Sequence, residues 1–145
     1  MTPPGAVIDG DVFIDGSCLY PQSRALARAG WGLICFDTVG NITADVCGPL
    51  PGKEQSSGRA ELYAFYFATK FASPTCKFYS DYMPLVDGIN VLGKARCVSP
   101  AAANADLWKL IWNRLDDFGL PDLVWTKGHA RLRDVTHGTV SERSR

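Results

Sequence analysis

The chain has 145 residues, 46% of them apolar and 21% charged, with fifteen acidic against fifteen basic side chains and no formal net charge. That length suits one domain of ~100–150 residues, and the composition excludes a disordered chain, a collagen-like repeat and a small disulfide scaffold. The balanced total also excludes a uniformly basic nucleic-acid clamp, so a function of that kind must rest on where the charges are placed.

Residues 1–13 lack both the basic and the apolar region of a signal peptide. No segment approaches the ~18 consecutive apolar residues of a membrane span. An intracellular location, cytoplasmic or nuclear, is expected. The apolar run VFI at 12–14 meets DGS at 15–17, which predicts a buried strand followed by a turn. Segments 29–36 (AGWGLICF) and 41–47 (NITADVC) predict a second and third strand. The turn residues at 37–40 join them as a hairpin, so the first three strands form an antiparallel meander. Residues 48–58 make a loop rich in Gly, Pro and Ser. Ser57 is the expected N-cap of a helix over 59–71, which is apolar almost all round and therefore covered. A fourth short strand, 77–80 (KFYS), stops at Asp81. A short helix follows over 84–92, starting at Pro84, and 95–101 is irregular. From 104 to 118, Leu107, Trp108, Ile111, Trp112 and Leu115 recur at three and four, the signature of an amphipathic helix. A fifth strand, 123–127 (LVWTK), precedes a polar tail without periodicity. The expected architecture is one α/β domain over 1–145, with a core at about 10–130 and a tail at 131–145. Its sheet is mixed and five-stranded, three antiparallel strands then two parallel ones, flanked by helices.

Five cysteines, at 18, 35, 47, 76 and 97, form no CxxC pair and no zinc-type cluster. Cys35 lies in an apolar strand and is expected to be a buried, reduced thiol. The acids are uneven, twelve Asp to three Glu. Most suit turns and caps, but three stand out by position. Asp15 follows the first strand run, Glu61 falls in the first turn of the long helix, and Asp81 ends the fourth strand. Ligand sites in open α/β sheets lie beyond strand ends, so these three can converge. Taken singly, each has an ordinary role as a turn former, a helix-dipole partner or a cap. Together, converging carboxylates need a compensating hard cation such as Mg²⁺. A pair of such ions ~3.5–4 Å apart is the arrangement used for displacement at phosphorus.

The segments FIDGS (13–17), SSGRAEL (56–62), YSD (79–81) and WTKGHA (125–130), with ADLW (105–108), resemble type 1 ribonuclease H and the ribonuclease H domains of reverse transcriptases, in that family's order. The resemblance implies a ribonuclease H-like fold and hydrolysis of the RNA strand of RNA/DNA hybrids to 5′-phosphate and 3′-hydroxyl ends. It implies that Asp15, Glu61 and Asp81 are catalytic carboxylates holding two Mg²⁺ ions, with Mn²⁺ able to substitute. His129 matches the family's histidine that assists proton transfer or product release, a task suited to a neutral imidazole near pH 7. Gly16, Ser17 and Ser57, beside the matched acids, are the expected nucleic-acid contacts, through 2′-hydroxyls in a wide minor groove.

The chain departs from the family pattern at several places. Ser57 and Gly58 stand where amides are common, and Tyr82-Met83 replaces more polar residues. No final helix with a fourth acid follows; Asp134 is the nearby aspartate, and His137 matches nothing. From Trp125 onward five basic residues face two acids, a local excess suited to phosphate contacts. No large basic protrusion is expected at 93–97. The segment around His129 resembles that of retroelement relatives, which implies a domain of a larger reverse-transcriptase polyprotein; a monomer is expected. The competing expectation is a catalytically impaired ribonuclease H-fold module that binds nucleic acid or a partner protein.

Overall fold

A computed structural model describes residues 10–127 apart from Pro21 and Arg24. Strands β1 (Asp11–Leu19), β2 (Arg28–Phe36) and β3 (Ile42–Pro49) come first, then helix α1 (Ser57–Ala68) and β4 (Lys77–Ser80). Helix α2 (Met83–Asp87) widens into a π turn (Gly88–Leu92) and is followed by α3 (Lys94–Cys97), α4 (Ala105–Phe118) and β5 (Asp122–Trp125). The five strands form one sheet in the order β3-β2-β1-β4-β5. The β1–β2 and β2–β3 pairs are antiparallel, while β1–β4 and β4–β5 are parallel. This is the expected mixed sheet: short loops permit the meander, and each parallel neighbour is reached through a helical crossover.

Strand alternation decides the two faces. Val12 and Ile14 of β1, Trp31, Leu33 and Cys35 of β2, Phe78 of β4 and Leu123 of β5 are buried. They lie with the buried residues of α1 and α4, among them Leu62, Phe65, Ile111 and Leu115, in one core. Phe78 joins the layers: its ring meets Phe65 edge-on at 5.4 Å and Phe118 at 6.1 Å. The residues between them in sequence, Phe13, Ile34, Phe36 and Tyr79, are only partly buried. Phe13 and Tyr79 stack there at 4.4 Å, adding a flat aromatic pair to the parallel β1–β4 junction.

Several local expectations change. β1 does not stop at DGS; Asp15 pairs with Gly32, Ser17 with Gly30 and Leu19 with Arg28. Continued pairing with β2 outweighs the turn tendency of the three residues, so Asp15 lies within the strand. Ser56, not Ser57, caps α1: its backbone is extended (φ −150°) and its Oγ accepts the Arg59 N–H at 3.1 Å. The helix therefore begins at Ser57, and Glu61 falls beyond the first turn, which holds no acid. Helix α1 ends at Ala68, short of Phe71, where the Thr69 hydroxyl turns back to the Tyr66 carbonyl at 2.7 Å. The segment read as irregular contains the short helix α3, closed by the Val98 N–H bonding the Lys94 carbonyl at 3.0 Å. All five cysteines are free thiols, with Cys35, Cys76 and Cys97 buried. Cys35 is buried and free, as expected, and burial pushes its thiol up to about 12, with Cys76 adding to the shift. His129, Asp134, His137 and the basic tail lie outside the described residues, as does any helix that would follow β5.

Candidate active site

The ladder between β1 and β4 ends at the pair Phe13–Tyr79. Beyond that pair the two strands separate, and the carboxylate of Glu61 spans the gap. One oxygen accepts the Gly16 N–H of β1 at 2.7 Å, and the other accepts the Ser80 hydroxyl of β4 at 3.0 Å. Glu61 is 3% exposed and Ser80 1%. Such charge-assisted bonds are the stronger kind, and without them the buried carboxylate would be costly. Glu61 thus ties together the neighbours of the other two acids: Gly16 adjoins Asp15, and Ser80 adjoins Asp81.

Helix α1 reaches that position because residue 16 is glycine. A Cβ built on Gly16 would lie 2.6 Å from both the Glu61 nitrogen and the Ser57 carbonyl oxygen. Only a residue without a side chain lets the start of α1 rest this close to β1. The helix is also tied at its other side. Arg59 makes a bidentate bond to Asp106 of α4 at 2.7 and 3.0 Å and reaches Asn104 Oδ1 at 3.3 Å. That bond holds the Asp106 carboxyl down to about 2.

Asp15 and Asp81 line one cleft of about 460 Å³ over the sheet, together with Ser17, Tyr79 and Thr126. Asp15 is half-buried and Asp81 exposed. The indole N–H of Trp125 holds the Asp81 backbone carbonyl at 3.2 Å, fixing the end of β4 to β5. Ser17 and Ser57 are exposed, whereas the Gly16 N–H is committed to Glu61. The three acids offer only oxygen donors, the chemistry of a hard divalent cation rather than of zinc or copper. Among the described residues, no three His, Cys, Asp or Glu side chains stand close enough to form a ready-made cage. The fit to Mg²⁺ is therefore one of donor type and shared location: two aspartates on one cleft, and Glu61 bonded to the residue beside each.

Ser80 and Tyr82 are the functional neighbours that motif reasoning left without a task. Ser80 donates to Glu61 and accepts the Tyr82 N–H at 3.0 Å. Its signal was available in the alternation of β4, which turns Ser80 to the same inward side as Phe78.

No protein-family profile matches the chain, and no curated protein sequence matches it. Solved structures do. The ribonuclease H domain of prototype foamy virus superposes with a TM-score of 0.65 at 19% identity, covering 81% of this chain and 78% of that one. LC9-RNase H1, a type 1 ribonuclease H with the type 2 active-site motif, gives 0.63 at 20% identity over 90% of this chain and 67% of that one. The native foamy virus protease–reverse transcriptase gives 0.67 at 19% identity over 83% of this chain. This chain spans only 17% of that larger protein. A foamy viral protease–reverse transcriptase in complex with an RNA/DNA hybrid is also matched, at a TM-score of 0.55 and 19% identity over 80% of this chain and 16% of that one. The sheet order, the crossover helices and these superpositions agree: the chain has the ribonuclease H fold.

Proposed function

We propose that this domain is a divalent-cation-dependent endoribonuclease that hydrolyses the RNA strand of RNA/DNA hybrids. The observation that carries the proposal is the Glu61 bridge, which joins the residues beside Asp15 and Asp81, two aspartates that line one cleft. The similar foamy virus enzyme, which has been seen on a hybrid, supports the substrate class.

In this reading Asp15, Glu61 and Asp81 would hold two Mg²⁺ ions, or Mn²⁺ in their place. When bound, the ions would supply the positive charge that offsets the carboxylates and the scissile phosphate. The chain's own part is to place and orient. Gly16 seats α1 against β1, Ser80 fixes Glu61, and Trp125 fixes the backbone at Asp81. The RNA strand lies over Gly16, Ser17 and Ser57, with the exposed serine hydroxyls bonding its sugars. His129 serves proton transfer or product release. The domain belongs to a larger reverse-transcriptase polyprotein and acts as a monomer inside the cell.

The absence of a ready-made carboxylate cage among the described residues favours a second reading, a hybrid-binding module without turnover. Single-turnover cleavage of an end-labelled hybrid by Asp15→Asn and Asp81→Asn separates the two. The proposed assignment expects hybrid binding with at least a hundredfold loss of cleavage in each variant. Cleavage unchanged in both would overturn it, and a wild-type chain that binds hybrid without cutting in Mg²⁺ or Mn²⁺ supports the second reading.

A further inference from the structure

Gly58 and Tyr82 lie 24 positions apart and share one volume. Gly58 is buried in the first turn of α1, and a Cβ built there would overlap the Tyr82 hydroxyl and sit 2.6 Å from Cζ. The phenol tip therefore stands where a side chain at 58 would stand, at the start of α1 beside the exposed Ser57. Its backbone is held from the catalytic side: the Tyr82 N–H bonds Ser80 Oγ, which in turn donates to Glu61. The ring packs partly against the core, and Tyr82 is neither buried nor fully exposed. No described residue hydrogen-bonds the hydroxyl.

A hydroxyl here can bond a phosphate oxygen, a base edge or a sugar hydroxyl of a nucleic acid. Ser57, next to Gly58 and exposed, is placed on the sugars of the RNA strand in the reading above, so a hydroxyl at 58 meets the sugars rather than the phosphates. A phenol both donates and accepts a hydrogen bond, as does a ribose 2′-hydroxyl. We propose that the Tyr82 hydroxyl bonds a ribose 2′-hydroxyl of the RNA strand, making Tyr82 a specificity-determining residue that acts in place of a side chain at 58. The proposal deepens the hybrid-nuclease reading and rests on it.

Tyr82→Phe keeps the ring and removes only the hydroxyl. On RNA/DNA hybrid it should raise KM on the order of three- to tenfold, the size of one neutral hydrogen bond, while kcat holds. A series of hybrids, each with one 2′-deoxy position near the cut, locates the contact. One position should cost the wild type the same factor and cost Tyr82→Phe nothing. Gly58→Ala, which pushes the hydroxyl aside without altering Tyr82, should raise KM equally and add nothing in the Tyr82→Phe background. A Tyr82→Phe enzyme with wild-type KM, or one equally sensitive to every deoxy position, overturns the Tyr82 assignment and leaves the nuclease reading standing. A wild-type chain that neither binds nor cuts hybrid overturns both.

Discussion

Replacing Gly16 by alanine tests whether the close seating of α1 on β1 builds the site. The added methyl would meet backbone atoms at 2.6 Å, the Glu61 nitrogen and the Ser57 carbonyl, neither of which can rotate away. Relief requires α1 to lift or β1 to bend, at the ~1–3 kcal/mol typical of overpacking. Either movement lengthens the 2.7 Å Gly16 N–H bond to Glu61, a bond to a charged group worth ~1.5–3 kcal/mol. With partial relaxation the expected loss is about 3 kcal/mol. Urea unfolding followed by tryptophan fluorescence reads this directly, as a lowered midpoint at unchanged slope. Gly32→Ala is the control: its Cβ would meet nothing nearer than 3.6 Å, so stability should hold within about 0.5 kcal/mol. Equal stability of Gly16→Ala and Gly32→Ala would refute the packing argument.

Other consequences follow from the same geometry. Ser80→Ala removes the buried hydroxyl that donates to Glu61 and should lower stability by about 2 kcal/mol, read by the same unfolding experiment; an unchanged midpoint would mean that the bond is replaced. The Arg59–Asp106 pair is exposed on its acid side (70%), so Asp106→Asn should cost under about 1 kcal/mol at neutral pH. Because the Asp106 carboxyl is depressed to about 2, that contribution is present above its unfolded value near ~4 and is lost as pH falls through about 2; a variant effect that persists below pH 2 would contradict the ion pair. Cys35, raised to about 12, makes the opposite contribution: stability is full below its unfolded value near ~8.5 and falls as pH rises toward 12. Native protein at pH 8 should therefore show a thiol-reactive Cys47, which is exposed, and an unreactive Cys35.

Much of the architecture can be read from local pattern. The turn at 37–40 and the spacing of Leu107, Trp108, Ile111, Trp112 and Leu115 name elements whose burial the structure bears out. Misreadings occur where distant partners decide. DGS reads as a turn until β2 is present to extend the pairing to Leu19. Ser56 and Ser57 are equal as capping residues, and only the bond to the Arg59 N–H selects the first. The site is legible in part for the same reason. Asp15, Glu61 and Asp81 stand out by sequence position, whereas the Glu61–Ser80 bond and the Tyr82–Gly58 fit join residues 19 and 24 positions apart, with no periodic signal between them.

The central claim, a nuclease specific for the RNA of a hybrid, is tested most directly by strand-resolved cleavage. The wild-type chain is given an RNA/DNA hybrid labelled on each strand in turn, beside duplex RNA and duplex DNA of the same sequence, with Mg²⁺ and with chelator. The account predicts internal cuts in the RNA strand of the hybrid alone, carrying 5′-phosphate ends and abolished by the chelator. Cutting of the DNA strand, cutting that survives the chelator, or tight hybrid binding with no cut would contradict it.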